Sequence, residues 1–340
     1  MLIIVTTAVF LPVYAGGSSQ SSDRFNMPGN LLITDQYNNR VIEVNPQTKH
    51  IVWSFGSGNG MLCNPGPGAV IGPNDAERLS DGLTLISGTG IGPGIPGTVA
   101  CVDNRVIIVN QSGQIVWQYG EAGQTGNGTD LLNVPVFAIQ LPNHDIMIVD
   151  QGNNRIIEVN KLKKIVWSYG PISGEGALNS PNSAELLPNG NILIADENNN
   201  RTVEITADGQ LVWQCCQGLR TVAFASRLAN NNTLITDSGN NRIIEVTRDG
   251  KIVFQYYTNT SQNSNPVSTP TNALPLESGQ IIISDSGNDR AIIINPNNEQ
   301  IAFQYGITNE PGVESNQLNW PYTASVIGDY YGQTPPPSTF

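Results

Sequence analysis

The chain has 340 residues, and its 16 basic and 28 acidic side chains give a formal net charge of -12. An acidic chain with five lysines is a poor nucleic-acid binder, because phosphate contacts need basic side chains. No apolar run reaches the roughly 18 residues of a membrane-spanning helix, and two histidines leave little room for histidine-based metal or proton chemistry.

The first predicted element is an apolar segment, residues 1–15, followed by a linker, residues 16–29. The segment has the length of the apolar core of an export signal, and Val13-Tyr14-Ala15 fits a cleavage site. No basic residue precedes it, so a β-branched strand retained in the mature protein is the alternative. Five sequons are glycosylation candidates in an exported chain, namely Asn110, Asn127, Asn200, Asn231 and Asn259. We expect an extracellular or cell-surface protein.

Residues 30–328 contain six copies of one unit. Two clear copies read DIMIVDQGNNRIIEVNKLKKIVWSYG (145–170) and TLITDSGNNRIIEVTRDGKIVFQY (233–256). Each unit contains three short runs rich in Ile and Val, separated by turn residues. A fourth run with the pattern Pro-x-x-Ala-x-x-Leu precedes four of the units, and before the fifth unit Ala225 and Leu228 of this pattern remain without the proline. Four strands per unit, at a period of about 40–50 residues, are typical of propeller blades.

The first unit lacks its leading strand, because Asn26 stands where the leucine is expected. The pattern reappears after the last unit, in residues 321–327. We therefore predict an all-β fold, a six-bladed β-propeller of four-stranded antiparallel blades in which a C-terminal strand completes the first blade. Closing the ring removes sheet edges that an open array would expose.

Five units place an aspartate at the end of the second strand, five residues before an arginine. A ring of carboxylates could bind cations, but an aspartate can also cap its own turn and pair with the arginine. We predict structural turn pairs, namely Asp35/Arg40, Asp150/Arg155, Asp196/Arg201, Asp237/Arg242 and Asp285/Arg290. An aromatic residue recurs in every predicted outer strand and is expected to pack between blades: Trp53, Trp117, Trp167, Trp213, Phe254 and Phe303.

The motif Asp-x-x-Asn-Asn-Arg-Ile-Ile-Glu-Val resembles NHL repeats over residues 26–328. Residues 187–196 and 210–213 are also similar to arylsulfotransferase-like propeller repeats. The NHL resemblance implies six blades, and enzymes of such families place histidines or carboxylate-bound calcium in the central channel. His50 and His144 fall in predicted turns, so neither is carried over as a ligand or nucleophile. Animal members bind RNA or protein, and the acidic charge here argues against RNA.

The second unit departs from the repeat. Gly88 replaces the aspartate, and two long Gly/Pro-rich loops contain Cys63 and Cys101. Both loops should emerge on the same face, so we predict a disulfide between these two cysteines. By restricting the unfolded chain, it should stabilise the fold by roughly 4 kcal/mol. Cys215 and Cys216 are adjacent and could form a vicinal disulfide, remain two thiols or bridge two chains.

The Pro-rich tail, residues 329–340, favours an extended form. Together with the apolar N-terminal segment it could add as a strand to a neighbouring ring and build a filament. We expect a non-catalytic binding or assembly module with protein partners, self-association included, and with no cofactor and no metal site. The alternative is a calcium-dependent channel hydrolase or lactonase-like enzyme using Glu77 and Glu185. The adjacent pair Cys215-Cys216 leaves a quinone-dependent enzyme as a third hypothesis.

Overall fold

The computed structural model describes residues 23–171, 173–215 and 217–329. These residues form six four-stranded antiparallel sheets, each corresponding to one predicted unit. Neighbouring sheets pack face to face around a central axis, so the predicted six-bladed β-propeller is confirmed. Residues 1–15 and residues 330–340 of the predicted tail 329–340, which we predicted as arms, lie outside the described residues.

In blades 2 and 3 the strands follow the chain from the inner to the outer edge, and in blade 1 the last strand of the chain takes the inner position. Blade 1 contains β24 (Pro321–Val326), β1 (Leu31–Asp35), β2 (Arg40–Val44) and β3 (Ile51–Gly56). Blade 2 contains β4 (Pro73–Arg78), β5 (Thr84–Ile91), β6 (Cys101–Val109) and β7 (Ile115–Tyr119). Blade 3 contains β8 (Pro135–Gln140), β9 (Ile146–Asp150), β10 (Arg155–Val159) and β11 (Ile165–Tyr169).

The other three blades repeat this order. Blade 4 contains β12 (Pro181–Leu186), β13 (Ile192–Asp196), β14 (Arg201–Ile205) and β15 (Leu211–Cys215). Blade 5 contains β16 (Val222–Arg227), β17 (Thr233–Asp237), β18 (Arg242–Val246) and β19 (Ile252–Tyr257). Blade 6 contains β20 (Asn272–Pro275), β21 (Ile281–Asp285), β22 (Arg290–Asn295) and β23 (Gln300–Tyr305).

The ring closes as predicted, through β24. This strand pairs antiparallel with β1, with Ile33 opposite Ala324 and Leu31 opposite Val326. The last residues of the predicted linker lie against the same blade, because the backbone N–H of Asn26 donates to Glu43 Oε1 at 2.7 Å. The two ends of the described chain therefore meet on blade 1.

The core lies between the blades. Val106 and Ile108 of blade 2 pack against Ile148 and Ile157 of blade 3, and all four are buried. Both faces of a blade are covered in this way, so its second strand is mostly apolar, as in β9, which reads IMIVD. Full burial of one such side chain contributes about 1.5–3 kcal/mol, and no single blade could provide it without its neighbours.

The Asp-x-x-Asn-Asn-Arg segments form short 3₁₀ helices between the second and third strands. They are Gln36–Asn38, Gln151–Asn153, Glu197–Asn199, Ser238–Asn240 and Ser286–Asn288. The next residue has φ between 51° and 56° in all five. Asn and Asp tolerate this left-handed conformation better than other L-residues, which explains the second Asn of the motif. We call this end of the ring the turn face and the opposite end the hairpin face.

Candidate functional site at the turns and the central channel

The structure forms all five predicted turn pairs. The arginine Nε lies 2.6–2.8 Å from the aspartate Oδ2, and all five carboxylates are 0% exposed. The first Asn of each motif also donates to the carboxylate, as Asn153 does to Asp150 at 2.8 Å. In blade 3 the other oxygen, Asp150 Oδ1, accepts the N–H of Asn133 at 2.7 Å from the loop that enters the blade.

The second Asn of the motif connects neighbouring blades. Asn154 Oδ1 accepts the N–H of Ser180 at 2.7 Å, and Asn200 Oδ1 accepts that of Thr221 at 2.7 Å.

Burial raises the pKa of Asp285 to about 6, even though Arg290 lies beside it. Because the carboxylates are occupied by their own turns, these residues hold the blades together and do not form an open cation site.

Blade 2 reaches the same arrangement from a different strand. Asp103, on β6, pairs with Arg105 Nε at 2.5 Å and accepts the N–H of Ile71 at 2.7 Å. A Cβ atom on Gly88 would lie 2.6 Å from Asp103 Oδ2, so this carboxylate occupies the space that the usual aspartate would need. Asp103 was not among the predicted site residues, although the run Asp103-Asn104-Arg105, together with Gly88 at the usual aspartate position, indicates it.

The predicted disulfide between Cys63 and Cys101 is confirmed, with a Cα–Cα distance of 5.4 Å. It joins the loop before blade 2 to the extended end of β6. Cys215 is also disulfide-bonded, but Cys216 lies outside the described residues, so the vicinal pair stays a prediction.

The glycosylation candidates remain predictions, and the structure only places them. Asn127, Asn200 and Asn231 are exposed, whereas Asn110 and Asn259 are half-buried. The amide oxygen of Asn200 is engaged by blade 5.

The inner strands of the six blades surround a cavity of about 110 Å³, which has room for several waters. Glu77 and Glu185, the two predicted channel carboxylates, both line it, together with Asp75. Its apolar wall includes Phe137 and Phe224, whose ring centroids are 5.7 Å apart. The cavity is thus apolar in blades 3 and 5 and acidic in blades 2 and 4.

The channel carboxylates also connect adjacent inner strands. Glu77 Oε2 accepts the N–H of Gln140 at 2.9 Å, and Glu185 Oε2 accepts that of Arg227 at 2.8 Å. Burial raises the pKa of Asp75 to about 7 and, assisted by the charge of Asp75, that of Glu77 to about 8. Asp75 and Glu77 can therefore hold protons near neutral pH.

Toward the turn face, a polar bridge crosses the channel. Tyr322 belongs to β24 of blade 1, and Asn182 of blade 4 donates to its Oη at 2.7 Å. Asn182 also donates to Glu197 Oε2 at 2.7 Å, which accepts a second bond from Gln151 at 2.9 Å. Burial raises the pKa of Tyr322 and of Glu197. This network links blades 1, 3 and 4 across the axis.

The histidines do not line the cavity. His50 lies on the hairpin face with Nδ1 2.9 Å from Asp23, and His144 lies in the turn between β8 and β9. Within residues 23–171, 173–215 and 217–329, no group of three or more His, Cys, Asp and Glu side chains is arranged to hold a metal ion. No helix in the same ranges is long and apolar enough to cross a bilayer.

Six closed blades around a narrow channel define a β-propeller, and the comparisons agree. The PQQ_2 family model, described as outer membrane protein assembly factor BamB, matches residues 37–305. The chain belongs to this family. The match supports propeller repeats without assigning them to the NHL type that the motif suggested. No curated protein matches the chain.

Solved structures show the same fold at low sequence identity. A protein of unknown function from Bacteroides caccae is 16% identical with a TM-score of 0.62, covering 89% of this chain and all of that one. A nidogen/laminin complex is 11% identical with a TM-score of 0.57, covering 88% of this chain and 98% of that one. Kuenenia stuttgartiensis hydrazine synthase is 13% identical with a TM-score of 0.52, covering 84% of this chain and 80% of that one. At such identities the likeness concerns the fold alone.

Proposed function

We propose that this protein is an exported, non-catalytic binding and assembly module that takes up an extended strand at the outer edges of its blades. The observation that carries the proposal is the composition of those edges. The outermost strands β7, β11, β15 and β19 read IVWQY, IVWSY, LVWQC and IVFQYY and contain no charged residue. At one repeated position they expose Val116, Val166, Val212 and Val253 by 53, 52, 48 and 49%.

An outer strand offers unpaired N–H and C=O groups to any other strand, so an unprotected edge is unusual. Natural edges are commonly protected by charges, especially lysine, or by proline. A β-branched, uncharged edge instead favours strand addition, in which backbone hydrogen bonds supply affinity.

The occupant we propose is the apolar N-terminal segment, residues 1–15, of a second copy. Its sequence LIIVTTAVF is β-branched and uncharged like the edge. The 22 residues before Asp23 span about 70 Å when extended, more than the roughly 50 Å diameter of a domain of this length. The segment is therefore long enough to reach a neighbouring ring. The Cys63–Cys101 disulfide supports export, because disulfides persist in oxidising compartments.

The test compares assembly of the wild type with that of edge variants. Light scattering after gel filtration and negative-stain microscopy should show concentration-dependent assembly of the wild type, and intact mass shows whether residues 1–15 are present. Lysine at all four positions together, Val116→Lys, Val166→Lys, Val212→Lys and Val253→Lys, should give single rings, whereas threonine at the same four positions, the neutral β-branched control, should assemble. Single rings of the full-length protein at all concentrations, or an unaffected lysine variant, would overturn the proposal.

A second candidate function is a channel-site enzyme that uses carboxylates. Asp75 and Glu77 favour it, because two carboxyl groups with pKa values of about 7 and 8 beside a cavity are suited to proton transfer. In its calcium-dependent form, added Ca²⁺ should raise the melting temperature and Glu77→Gln should remove that increase. An identical melting temperature in Ca²⁺ and in chelator would contradict that form.

A further inference from the structure

On the hairpin face, a pocket of about 290 Å³ lies between blades 3 and 4. Glu158 of β10 and Trp167 of β11 line it and stand directly opposite each other in the antiparallel register. Cross-strand neighbours of this kind are close enough to act on one ligand. The pocket therefore combines a carboxylate with an aromatic ring.

At the equivalent position between blades 4 and 5, the carboxylate and the indole contact arginines of the chain itself. Glu204 stands opposite Trp213. Arg227 Nη2 lies 2.9 Å from Glu204 Oε2, and Arg248 pairs with the same oxygen. The guanidinium carbons of Arg227 and Arg248 lie 4.8 and 5.0 Å from the centre of the Trp213 ring. A carboxylate and an indole here hold two guanidinium groups.

The interface between blades 1 and 2 repeats this arrangement. Glu43 stands opposite Trp53, and Arg78 Nη1 lies 2.9 Å from Glu43 Oε2. The Arg78 guanidinium carbon is 5.1 Å from the Trp53 ring centre and 4.1 Å from that of Phe25. Two independent blade interfaces thus fill the Glu–Trp position with arginine from the inner strand of the next blade.

Between blades 3 and 4 both arginine positions contain uncharged residues. Leu186 takes the place of Arg227 at the end of the inner strand. Ala207 takes the place of Arg248, since Trp167 Nε1 donates to Ala207 O at 2.8 Å just as Trp213 Nε1 donates to Arg248 O at 2.8 Å. The carboxylate and the indole remain, but the cations do not.

The surroundings of Glu158 differ from those of Glu43 and Glu204 in charge. In the described part of the chain no residue forms an ion pair with Glu158, and Asn143 donates to its Oε1 at 2.8 Å. Burial raises the pKa of Glu158, and the nearby charge of Asp145 raises it further. Burial also acts on Glu204, yet Asn191 and the two arginines hold the pKa of Glu204 below its usual value.

We propose that the pocket between blades 3 and 4 binds a guanidinium group from outside the chain, paired with Glu158 and stacked on Trp167. Guanidinium is the chemistry that the same carboxylate–indole pair holds at two other interfaces, and its planar donors suit both a carboxylate and an aromatic face. The source is either the arginine side chain of a protein segment or a free small guanidinium compound. This inference does not depend on strand addition at the blade edges.

The test measures the indole N–H signals of the full-length protein by NMR during titration with N-acetyl-arginine amide. The signal that Trp167→Phe removes should shift and saturate, whereas N-acetyl-citrulline amide, the neutral isostere, should leave it unchanged. A glycine-flanked arginine pentapeptide distinguishes the sources. Binding at least tenfold tighter than the amide indicates a protein segment, and equal binding indicates a free ligand.

Variants test the assignment to Glu158. Glu158→Gln should weaken binding at least tenfold, and Leu186→Arg, which restores the repeated arginine, should pair with Glu158 and abolish binding while the protein stays folded. Glu245→Gln is the matched control, because Glu245 stands opposite Phe254 and accepts amides of Asn230 and Asn232. No saturable shift in the wild type, or equal binding by wild type and Glu158→Gln, would overturn the proposal.

Discussion

Blade 3 and blade 2 place a carboxylate at the same point by different routes. In blade 3, Asp150 ends the second strand and pairs with Arg155 across the 3₁₀ turn. In blade 2, Gly88 leaves that point empty and Asp103 of the third strand fills it, pairing with Arg105. Each carboxylate also accepts a backbone N–H from the loop that enters its blade.

The difference shows that the fold requires a buried carboxylate at this point, and not an aspartate at one position of the motif. Once β6 supplies the carboxylate, the segment between β5 and β6 no longer has to form the tight turn. That segment extends to residues 92–100, and the Cys63–Cys101 disulfide attaches it to the preceding loop. Blade 2 is therefore the blade in which the turn face can be enlarged.

The largest expected effect comes from removing the carboxylate from either blade. Asp103→Asn and Asp150→Asn should each lower the free energy of unfolding by about 5 kcal/mol, because an arginine loses its buried partner. Urea denaturation measures both. The double variant Gly88→Asp with Asp103→Gly returns the carboxylate to the usual position and should be more stable than Asp103→Asn. A much smaller loss of stability for Asp103→Asn than for Asp150→Asn would show that the two carboxylates do not have the same structural role.

The disulfide that belongs to blade 2 alone should have the next largest effect. Cys63→Ser with Cys101→Ser should lower the free energy of unfolding by about 4 kcal/mol, because the unfolded chain regains the freedom of a loop of roughly 39 residues. The measurement is again urea denaturation, with Ser57→Ala in the preceding loop as the control. If stability is unchanged, the enlarged loops are held by their other contacts.

A smaller effect concerns the inner strand of blade 2, where Asp75 and Glu77 have pKa values of about 7 and 8. Both are raised above the unfolded values, so the folded state binds more protons and stability falls as the pH rises from about 5 to 8. For Glu77 we expect the free energy of unfolding to fall by about 3 kcal/mol over this interval. This value is smaller than the full pKa shift implies, because the side chain is partly exposed to solvent.

Glu77→Gln should flatten that pH profile, whereas Asp81→Asn, an exposed carboxylate of the same blade, should leave it unchanged. Urea unfolding at pH 5 and pH 8 provides the comparison. A wild-type stability that rises over this interval would show that the channel carboxylates are ionised in the folded protein.

The fold was predictable because its information is local and repeated six times. The Asp-x-x-Asn-Asn-Arg motif specifies a turn, the runs of Ile and Val specify strands buried on both faces, and residues 321–327 identify the closing strand. The Cys63–Cys101 pair followed from the position of two loops on one face. None of these inferences required knowledge of which side chains meet across the ring.

The channel and the blade interfaces were harder to predict because their contacts join distant parts of the chain. Glu77 and Glu185 could be assigned to inner strands, but nothing local shows that Tyr322 meets Asn182 across the axis. The arginines of the Glu–Trp interfaces come from the next blade, so Leu186 becomes informative only when the blades are superimposed. Asp103 was not predictable from the motif, because it reaches the usual aspartate position in space from a different position in the repeat.

The closing strand has a consequence for how the protein is made. Strand β1 is complete at Asp35, but its partner β24 ends at Val326. At about 5–20 residues per second, a ribosome leaves β1 without this partner for roughly 15–60 s. During that interval every nascent chain exposes an apolar inner edge, and neighbouring chains on one messenger can exchange their closing strands. Closure of a single ring therefore requires each chain to capture its own last strand and not that of a neighbour.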